Sequence, residues 1–489
     1  MALGSTFLSV IIGRLFPARD PFDPLAFALG IAREFGDIAY SRFGPLRVYQ
    51  LNHPDLVQEV LVKQWQKFHK PRLMKAAFPI IGQGLIVSDG ALWKQQRKLI
   101  QPAFNHHHLS VYAEVMVEHA LRLRENFADG QIRDIGAEIA KLTLGIVVKT
   151  LFGVILPGEV MAIGDSMQAL LEVANDQMNS ALPIPWWVPT RRNLRGKRAF
   201  ARLDSILHML IQARRASSAA ASLSAENRDD LLSLLLAAVD EETGARMSDQ
   251  QLRDEMMTLF LAGHKTTAAA LTWIWYLRHP GVEANVIEEL DKVLAGRPPT
   301  LADLPQLPYT EMVVRETMRL YPPAPILARE PIEDVTVGGY RVAKRRLITI
   351  SPWAIHRDPR FFPDPERFHP ERFAPGWEAH SPLRVYSLWR RSARLHRQRL
   401  RDDGDPADSR NAGAALSIYD RSRYRYQTRA TRDRQAGHTA ADETRETGLR
   451  AKGLSQSAPF MPAIAGKLHS PLRIVTVRAA IIAVFFDLA

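Results

Sequence analysis

The chain has no cysteine at any of its 489 positions. This absence excludes disulfide bonds, thiolate zinc sites and iron–sulfur clusters, because each of them requires cysteine sulfur. The chain also has no run of about 18 uncharged apolar residues, so no membrane-spanning helix is expected. The apolar run Phe7–Ile12 is too short for the core of a signal peptide and is interpreted as the edge of a folded domain. A cytoplasmic protein is therefore the default expectation.

The positive charge of the chain is concentrated at one end. The whole sequence carries a net charge of +12, and residues 379–489 contain 20 Lys and Arg residues, 18 of them Arg, against 10 Asp and Glu. The first 378 residues carry only +2 and resemble an ordinary near-neutral enzyme in composition. We therefore divide the chain into a body, residues 1–378, and an Arg-rich tail, residues 379–489. The tail has no apolar periodicity and is expected to be disordered.

Helical spacing of apolar residues dominates the body. Pro24–Phe35 is predicted to be a helix with Asp23 as its N-cap. The strongest helix signal begins at Ser248, where Gln251 completes a capping box, and extends over about residues 248–278. The middle of this helix is apolar on nearly all sides, which is typical of a helix buried in a large protein.

Short strands complete the fold class, which is mainly α with small β-sheets. Val335–Val337 and Tyr340–Val342 are predicted to form a hairpin around a glycine turn, and Leu347–Ile350 another strand. Gly84–Val87 is also predicted as a strand. The segment Ala213–Ala225 is rich in Ala, Ser and Arg and is interpreted as a surface loop.

Several motifs with chemical meaning follow one another along the body. They are Trp93-x-x-x-Arg97, Ala262-Gly263-x-x-Thr266, Glu316-x-x-Arg319, Arg329, and His356-Arg357-Asp358-Pro359 followed by Phe368-His369-Pro370-Glu371-Arg372-Phe373. In this order and spacing, residues from about Asp23 to Trp377 resemble a cytochrome P-450 of the soluble bacterial kind. The resemblance implies the cytochrome P-450 fold, a haem cofactor, and a monooxygenase that inserts one oxygen atom of dioxygen into an apolar organic substrate. It also implies a ferredoxin or flavin-type reductase as electron donor and no nucleic-acid partner.

The resemblance assigns Trp93, Arg97 and Arg329 to the binding of haem. A haem is a flat apolar ring with two carboxylates, and guanidinium groups form charge-assisted bonds with carboxylates. The indole N–H of Trp93 adds a neutral donor. Taken without its context, the pair Trp93 and Arg97 is more typical of an amphipathic surface helix.

Thr266, Gly263 and Ala262 are the candidate catalytic residues of the central helix. By resemblance, the two small residues let a flat ligand approach the helix, and the Thr266 hydroxyl binds dioxygen and relays protons. The alternative is close helix–helix packing, with a buried threonine bonded back to a carbonyl. Lys265 departs from the family pattern, which has an acid before this threonine, and a cation there is expected to oppose proton delivery.

Glu316, Arg319 and Arg372 are interpreted as a structural cluster rather than a catalytic one. Glu316 and Arg319 are three residues apart and share one helix face. The alternative is a solvent-exposed pair. The run His106–His108 suggests a metal site, but no acid or thiol lies at a suitable spacing, and a solvated helix start is the preferred interpretation. No metal ligand is assigned, because the axial cysteine of the family is absent.

The region in which the family carries its cysteine loop reads differently here. Residues Tyr386–Arg399 contain no such loop, but a synonymous back-translation shifted by one base encodes Ile-Pro-Phe-Gly-Gly-Gly-Ala-Arg-Val-Cys-Ile-Gly-Asn. A TTG codon at Leu395 followed by a His396 codon necessarily yields TGC, a cysteine codon. We therefore hypothesise a frameshift between residues 377 and 384. The chain as written is then expected to be inactive, since it lacks the Cys ligand.

Two further interpretations remain open at the level of sequence. The basic tail is compatible with a nucleic-acid-binding protein, because Arg-rich segments neutralise phosphates. Against this, the tail lacks aromatic residues interleaved on a defined face. The other interpretation is a non-catalytic remnant that keeps the fold and has lost haem. If the chain as written binds haem, His396, one residue from the expected ligand position, is the candidate iron ligand, with a histidine-ligated spectrum and no oxygenase activity expected.

Overall fold

The computed structural model describes residues 23–44, 46–72, 74, 82–128, 131–153, 157–179, 186, 188–219, 230–277 and 279–375. The architecture of this part is mainly α with small β-sheets, as the sequence predicts. The Arg-rich tail and the segment Phe7–Ile12 lie outside the described residues.

Twelve α-helices are found in the described part of the chain. They are α1 (Pro24–Phe35), α2 (Pro54–Gln58, continued as a π-helical turn over Glu59–Lys63), α3 (Gly90–Ile100), α4 (His106–Glu125), α5 (Ile135–Phe152), α6 (Pro157–Asn179), α7 (Arg191–Ala219), α8 (Leu231–Ala237), α9 (Asp249–Tyr276), α10 (Pro280–Leu294), α11 (Pro308–Leu320) and α12 (Pro352–Ile355). Several begin where the sequence supplies a cap. Asp23, for example, accepts hydrogen bonds from the first amides of α1.

Seven strands form two sheets among the described residues. They are β1 (Ile38–Phe43), β2 (Leu46–Leu51), β3 (Phe68–His69), β4 (Leu327–Pro331), β5 (Val335–Val337), β6 (Tyr340–Val342) and β7 (Leu347–Ile350). The larger sheet has the order β1-β2-β7-β4-β3, with β2 and β7 parallel and its other pairs antiparallel. The smaller sheet is the β5–β6 hairpin, whose turn residues Gly338 and Gly339 both have positive φ. The hairpin strands β5 and β6 and the strand β7 of the larger sheet agree with the prediction.

The central helix α9 begins at the predicted capping box. The Ser248 hydroxyl accepts from the Gln251 amide at 3.2 Å, and the Gln251 side chain accepts from the Ser248 amide at 3.1 Å. Met256 and Ala270 are both 0% exposed, as expected for a helix with apolar residues on nearly all sides. The helix packs most extensively against α5 and also contacts α7, α8 and α11. It therefore passes through the middle of the helical core.

Two predictions of local structure were wrong. Gly84–Val87 is a series of turns rather than a strand, because its backbone bonds internally, with Val87 and Ser88 both donating to the Gly84 carbonyl. The predicted loop at Ala213–Ala225 is helical as far as Ala219, the end of α7. Arg214 and Arg215 hold this last part of the helix through ion pairs with Asp230 and Asp249.

Candidate functional site

The predicted cofactor residues Trp93 and Arg97 lie on one face of α3. The guanidinium carbon of Arg97 is 5.2 Å from the centre of the Trp93 ring. The ammonium nitrogen of Lys70 is 6.0 Å from the same ring. Both side chains of α3 are half-buried, and the ring of Trp65 packs 6.5 Å from that of Trp93. Two cations, Lys70 and Arg97, thus lie near the Trp93 ring. The sequence predicts only Arg97 at this place.

Arg329, the third predicted cofactor residue, joins this group through Asp89. It lies on β4, and its Nη1 donates to the Ala328 carbonyl at 2.8 Å. Burial lowers the pKa of Arg329, and the Asp89 carboxylate opposes that effect. Asp89 also accepts from the backbone amide of Lys70, at 3.2 and 3.3 Å. Asp89 therefore interacts with Lys70 by hydrogen bonds and with Arg329 through its charge, and Lys70 lies near the same Trp93 ring as Arg97.

We name the residues Lys70, Asp89, Trp93, Arg97 and Arg329 the cationic corner. It contains three cations and one carboxylate, so it retains positive charge for an anionic ligand. A ligand edge with two carboxylates matches both the charge and the donor types, since Arg and Lys bond carboxylates strongly. Sequence reasoning missed Lys70, because it is not at a helical spacing from Trp93, and it missed Asp89, although this residue is the N-cap of α3 and lies four positions before Trp93.

Thr266 and Gly263 on α9 are placed by packing within the core. The Thr266 hydroxyl donates to the Ala262 carbonyl at 2.6 Å, one turn earlier in the helix. A Cβ atom at Gly263 would lie 3.1 Å from Cγ2 of Val147 on α5, so the glycine allows a close approach of two helices. These contacts are the ones expected from the alternative interpretation, close helix–helix packing with a threonine bonded back to a carbonyl. The catalytic roles of Thr266, Gly263 and Ala262 stay predictions.

The two residues before Thr266 point to other helices. Nδ1 of His264 is 3.0 Å from the Thr143 hydroxyl on α5. Burial, with a smaller effect from Lys265, lowers the pKa of His264 to about 3, so this imidazole is neutral. Lys265 donates from Nζ to Oε1 of Gln168 on α6 at 2.9 Å. Lys265, which stands where the family pattern has an acid, therefore connects the central helix to α6.

Gln168 extends this connection towards the surface. Its Nε2 donates to Glu172 at 3.3 Å, and Glu172 pairs with Arg195 of α7 at 3.1 Å. The side chains of Glu172 and Arg195 are 39% and 65% exposed. A polar chain therefore leads from Lys265 across α6 to an exposed ion pair on α7.

Glu316, Arg319 and Arg372 form one buried cluster. Arg319 binds Glu316 through two hydrogen bonds, at 2.7 and 2.8 Å, and Arg372 adds a third at 3.3 Å. The side chains are 0%, 1% and 3% exposed. The arginines also bond backbone carbonyls of the irregular segment after α12, namely those of His356, Asp364, Pro365 and Arg367. The cluster joins α11 to that segment.

The chain does not provide the axial ligand that a thiolate haem needs. No cysteine exists at any position, and the described residues contain no group of three or more His, Asp or Glu side chains arranged to hold a metal. His106 is the first residue of α4 and follows the N-cap Asn105. This agrees with the interpretation of the run His106–His108 as the start of a helix. Residues 386–399, where the family loop is expected, lie outside the described part. The cationic corner fits the carboxylates of a haem, whereas no residue of the chain would supply a thiolate to its iron.

Comparisons with known proteins point to one family. The family model described as Cytochrome P-450 matches residues 11–385. Cyclooctatin synthase of Streptomyces melanosporofaciens is 39% identical over 355 residues, covering 72% of this chain and 76% of that protein. Cyclooctat-9-en-7-ol 5-monooxygenase of the same organism is 35% identical, covering 72% and 75%. Pentalenene oxygenase of Streptomyces avermitilis is 32% identical, covering 72% and 77%.

A solved structure supports the fold independently. The crystal structure of the cytochrome P-450DA haem domain superposes with a TM-score of 0.66 at 24% identity, covering 74% of this chain and 80% of that one. None of these matches supports the nucleic-acid-binding alternative. Among the described helices, none is long and apolar enough to cross a membrane.

Proposed function

This chain belongs to the cytochrome P-450 family of haem-dependent monooxygenases, and we propose that its residues 1–378 are an oxygenase body for a cyclic apolar substrate. The family uses a small-molecule substrate and a redox partner. We assign a ferredoxin or a flavin-type reductase as that partner and the cytoplasm as the location.

The relatives support the choice of substrate class. One is named for a position on cyclooctat-9-en-7-ol and another for pentalenene, an alkenol and an alkene. Met167 and Leu170 of α6 are 1% and 2% exposed and pack in one apolar cluster with Phe260 of α9. An apolar substrate with at most one or two oxygen functions suits such surroundings.

Each candidate residue then has a defined task. When bound, haem supplies the iron-centred oxidation chemistry of the family. Lys70, Arg97 and Arg329 bind and orient its carboxylates, and Trp93 packs beside them. Ala262 and Gly263 keep the central helix narrow. The Thr266 hydroxyl, which donates to the Ala262 carbonyl, is able to release that bond and pass a proton to a bound reactant.

We propose that residues 379–489 are read out of frame and belong to no native domain. The similarity to the family model ends at residue 385, just beyond the interval 377–384 in which the codon pattern puts the shift. The body thus keeps its carboxylate-binding residues, while the chain has no cysteine. This contrast carries the proposal. A remnant that had lost haem through gradual change has no reason to lose similarity abruptly.

Sequencing of the gene around codons 375–400 tests the frame directly. We expect a one-base correction to encode a cysteine at the TGC created within Leu395 and His396. Nucleotides there that cannot encode TGC in the next frame would contradict the frameshift.

Spectroscopy of two proteins then tests the function. The frame-corrected protein is expected to show a thiolate-type carbon monoxide spectrum after reduction and to oxidise cyclic alkenes with a ferredoxin system. The chain as written, verified by intact mass, should show no thiolate spectrum. The matched control is the corrected protein with its restored cysteine changed to serine, which should lose the thiolate spectrum while retaining the helical content.

A further inference from the structure

The loop at residues 82–88 is pressed onto the central helix α9. A Cβ atom at Gly82 would lie 2.3 Å from the carboxylate of Asp254, and one at Gly84 would lie 2.1 Å from the hydroxyl of Thr258. Gly82 also has a positive φ of 61°. Contacts this close leave no room for side chains at the two glycines, which therefore allow the loop to approach the helix closely.

Two adjacent carboxylates of α9 hold the loop by its backbone. The Gln83 amide donates to Asp254 at 2.8 Å, and the Leu85 amide donates to Oε2 of Glu255 at 3.0 Å. On its other side, the loop fixes Lys70, whose Nζ donates to the carbonyls of Leu85 and Ser88 at 2.6 and 2.7 Å. Glu255 and Lys70 of the cationic corner therefore bond the same loop residue, Leu85, at its amide and at its carbonyl.

Glu255 differs from its neighbour Asp254 in how well its charge is compensated. Asp254 bonds Arg253, itself paired with Asp204, and Gln250. Glu255 is 0% exposed and faces two charged groups, Asp254, which repels it, and Lys70, which attracts it. Burial is the largest influence and raises the pKa of Glu255 to about 7.

Buried polar atoms without partners are found on α9, in the loop that bonds Glu255 and on α3. Within the described residues, Oε1 of Glu255 and the hydroxyl of Thr258 have no hydrogen-bond partner. The same is true of the Ser88 hydroxyl and Oε1 of Gln96, whose Nε2 bonds the loop carbonyl of Gln83. A protonated Glu255 has an O–H donor of its own, which an ionised Glu255 does not have.

We propose that Glu255 is a proton-linked positioning residue for the cationic corner: neutral, it leaves the charge of Lys70 available to a ligand carrying two carboxylates, and ionised, it competes for that charge and weakens binding. The inference rests on the proposed function, in which the corner binds the carboxylate edge of a porphyrin. By linkage, the bound dicarboxylate also raises the pKa of Glu255. Binding is therefore tighter below neutral pH and weaker above it.

Metal-free protoporphyrin tests this in the full chain, since it carries both carboxylates and needs no axial ligand. Its dissociation constant is measured by quenching of tryptophan fluorescence between pH 5.5 and pH 8.5. We expect the constant to rise by on the order of fivefold or more across neutral pH. Glu255→Gln should bind tightly at every pH. The matched control Glu241→Gln, an exposed glutamate, should behave as wild type.

Two further measurements separate a charge effect from a structural one. The dimethyl ester of protoporphyrin, which has no carboxylates, should bind without the pH dependence. Infrared difference spectra should show a protonated carboxyl band that disappears near neutral pH and is absent in Glu255→Gln. The frame-corrected protein should titrate with the same midpoint.

The outcomes distinguish this inference from the function on which it rests. Binding that Arg97→Ala weakens but that does not depend on pH, or that keeps its pH dependence in Glu255→Gln, overturns the role of Glu255 alone. Absence of protoporphyrin binding at every pH, in both the written and the corrected chain, overturns the carboxylate-binding corner and this inference together.

Discussion

Glu316 and Glu255 are both glutamates on buried helices with 0% exposure, and their surroundings are opposite. Glu316 receives bonds from two guanidinium groups and from the His369 amide. Glu255 accepts a hydrogen bond from the Leu85 amide and faces a second carboxylate, that of Asp254. A buried carboxylate is stable as an ion only when its partners replace water. Equal burial therefore gives a structural anchor in one place and a titrating group in the other.

The largest effect on stability should follow from a substitution at Glu316, whose charge is compensated by two arginines. Glu316→Gln leaves Arg319 and Arg372 buried without their anion, and we expect the free energy of unfolding to fall by about 3–5 kcal/mol. Urea denaturation at pH 7 measures it. The control is Asp334→Asn, which removes an ion pair whose side chains are 45% and 82% exposed and should change stability by less than about 1 kcal/mol. Equal losses of unfolding free energy in Glu316→Gln and Asp334→Asn would contradict the expectation that the buried ion pair contributes more than the exposed one.

The second effect concerns the poorly compensated site and depends on pH. The pKa of Glu255 is raised from 4.5 to about 7 in the folded protein, so the folded state holds this proton more tightly than the unfolded chain. Raising the pH from about 4.5 through about 7 therefore favours unfolding, by roughly 3 kcal/mol. Glu255→Gln should lack this loss and be more stable than wild type above pH 7.

Measuring both proteins at each pH isolates the contribution of Glu255. His264 and His356, whose pKa values are both lowered to about 3 chiefly by burial, destabilise the fold as the pH falls below their ordinary range, and they do so in both proteins. A constant stability difference between wild type and Glu255→Gln across pH 4–8 would contradict the assignment.

The smallest effect is expected at Lys265, which is half-buried and bonded to a neutral amide. Lys265→Met removes the bond to Gln168 and should lower the free energy of unfolding by about 1 kcal/mol. It should also raise the pKa of His264, because the ammonium group helps to depress it. NMR titration of the histidines measures this shift. The exposed Lys292→Met is the control and should leave the pKa of His264 unchanged.

Local signals in the sequence predicted much of the fold. Asp23 and Ser248 mark the starts of α1 and α9 because capping depends on residues within one turn. The hairpin at Gly338 and Gly339 is likewise local, since its turn needs two residues with positive φ. The wrong prediction at Gly84–Val87 has the opposite origin. That segment takes its conformation from distant carboxylates on α9, which periodicity does not reveal.

The same distinction applies to the candidate site. Trp93 and Arg97 were found because they are four positions apart on one helix. Lys70 and Glu255 were missed because their connection spans 185 positions and passes through the backbone of an irregular loop. Arg329 was assigned by resemblance, and its link to Asp89 is visible only in three dimensions.

Arg319 has a consequence for how the body opens. Its guanidinium group bonds carbonyls of His356, Pro365 and Arg367 while it also holds Glu316. Segment 356–373 therefore cannot separate from α11 without breaking these hydrogen bonds and leaving the Arg319 guanidinium without its carbonyl partners. Although it has little regular secondary structure, this segment should form one cooperative opening unit with the helix. Its protected amides should exchange with solvent at the rate of α11, and proteases should leave it intact until that helix unfolds.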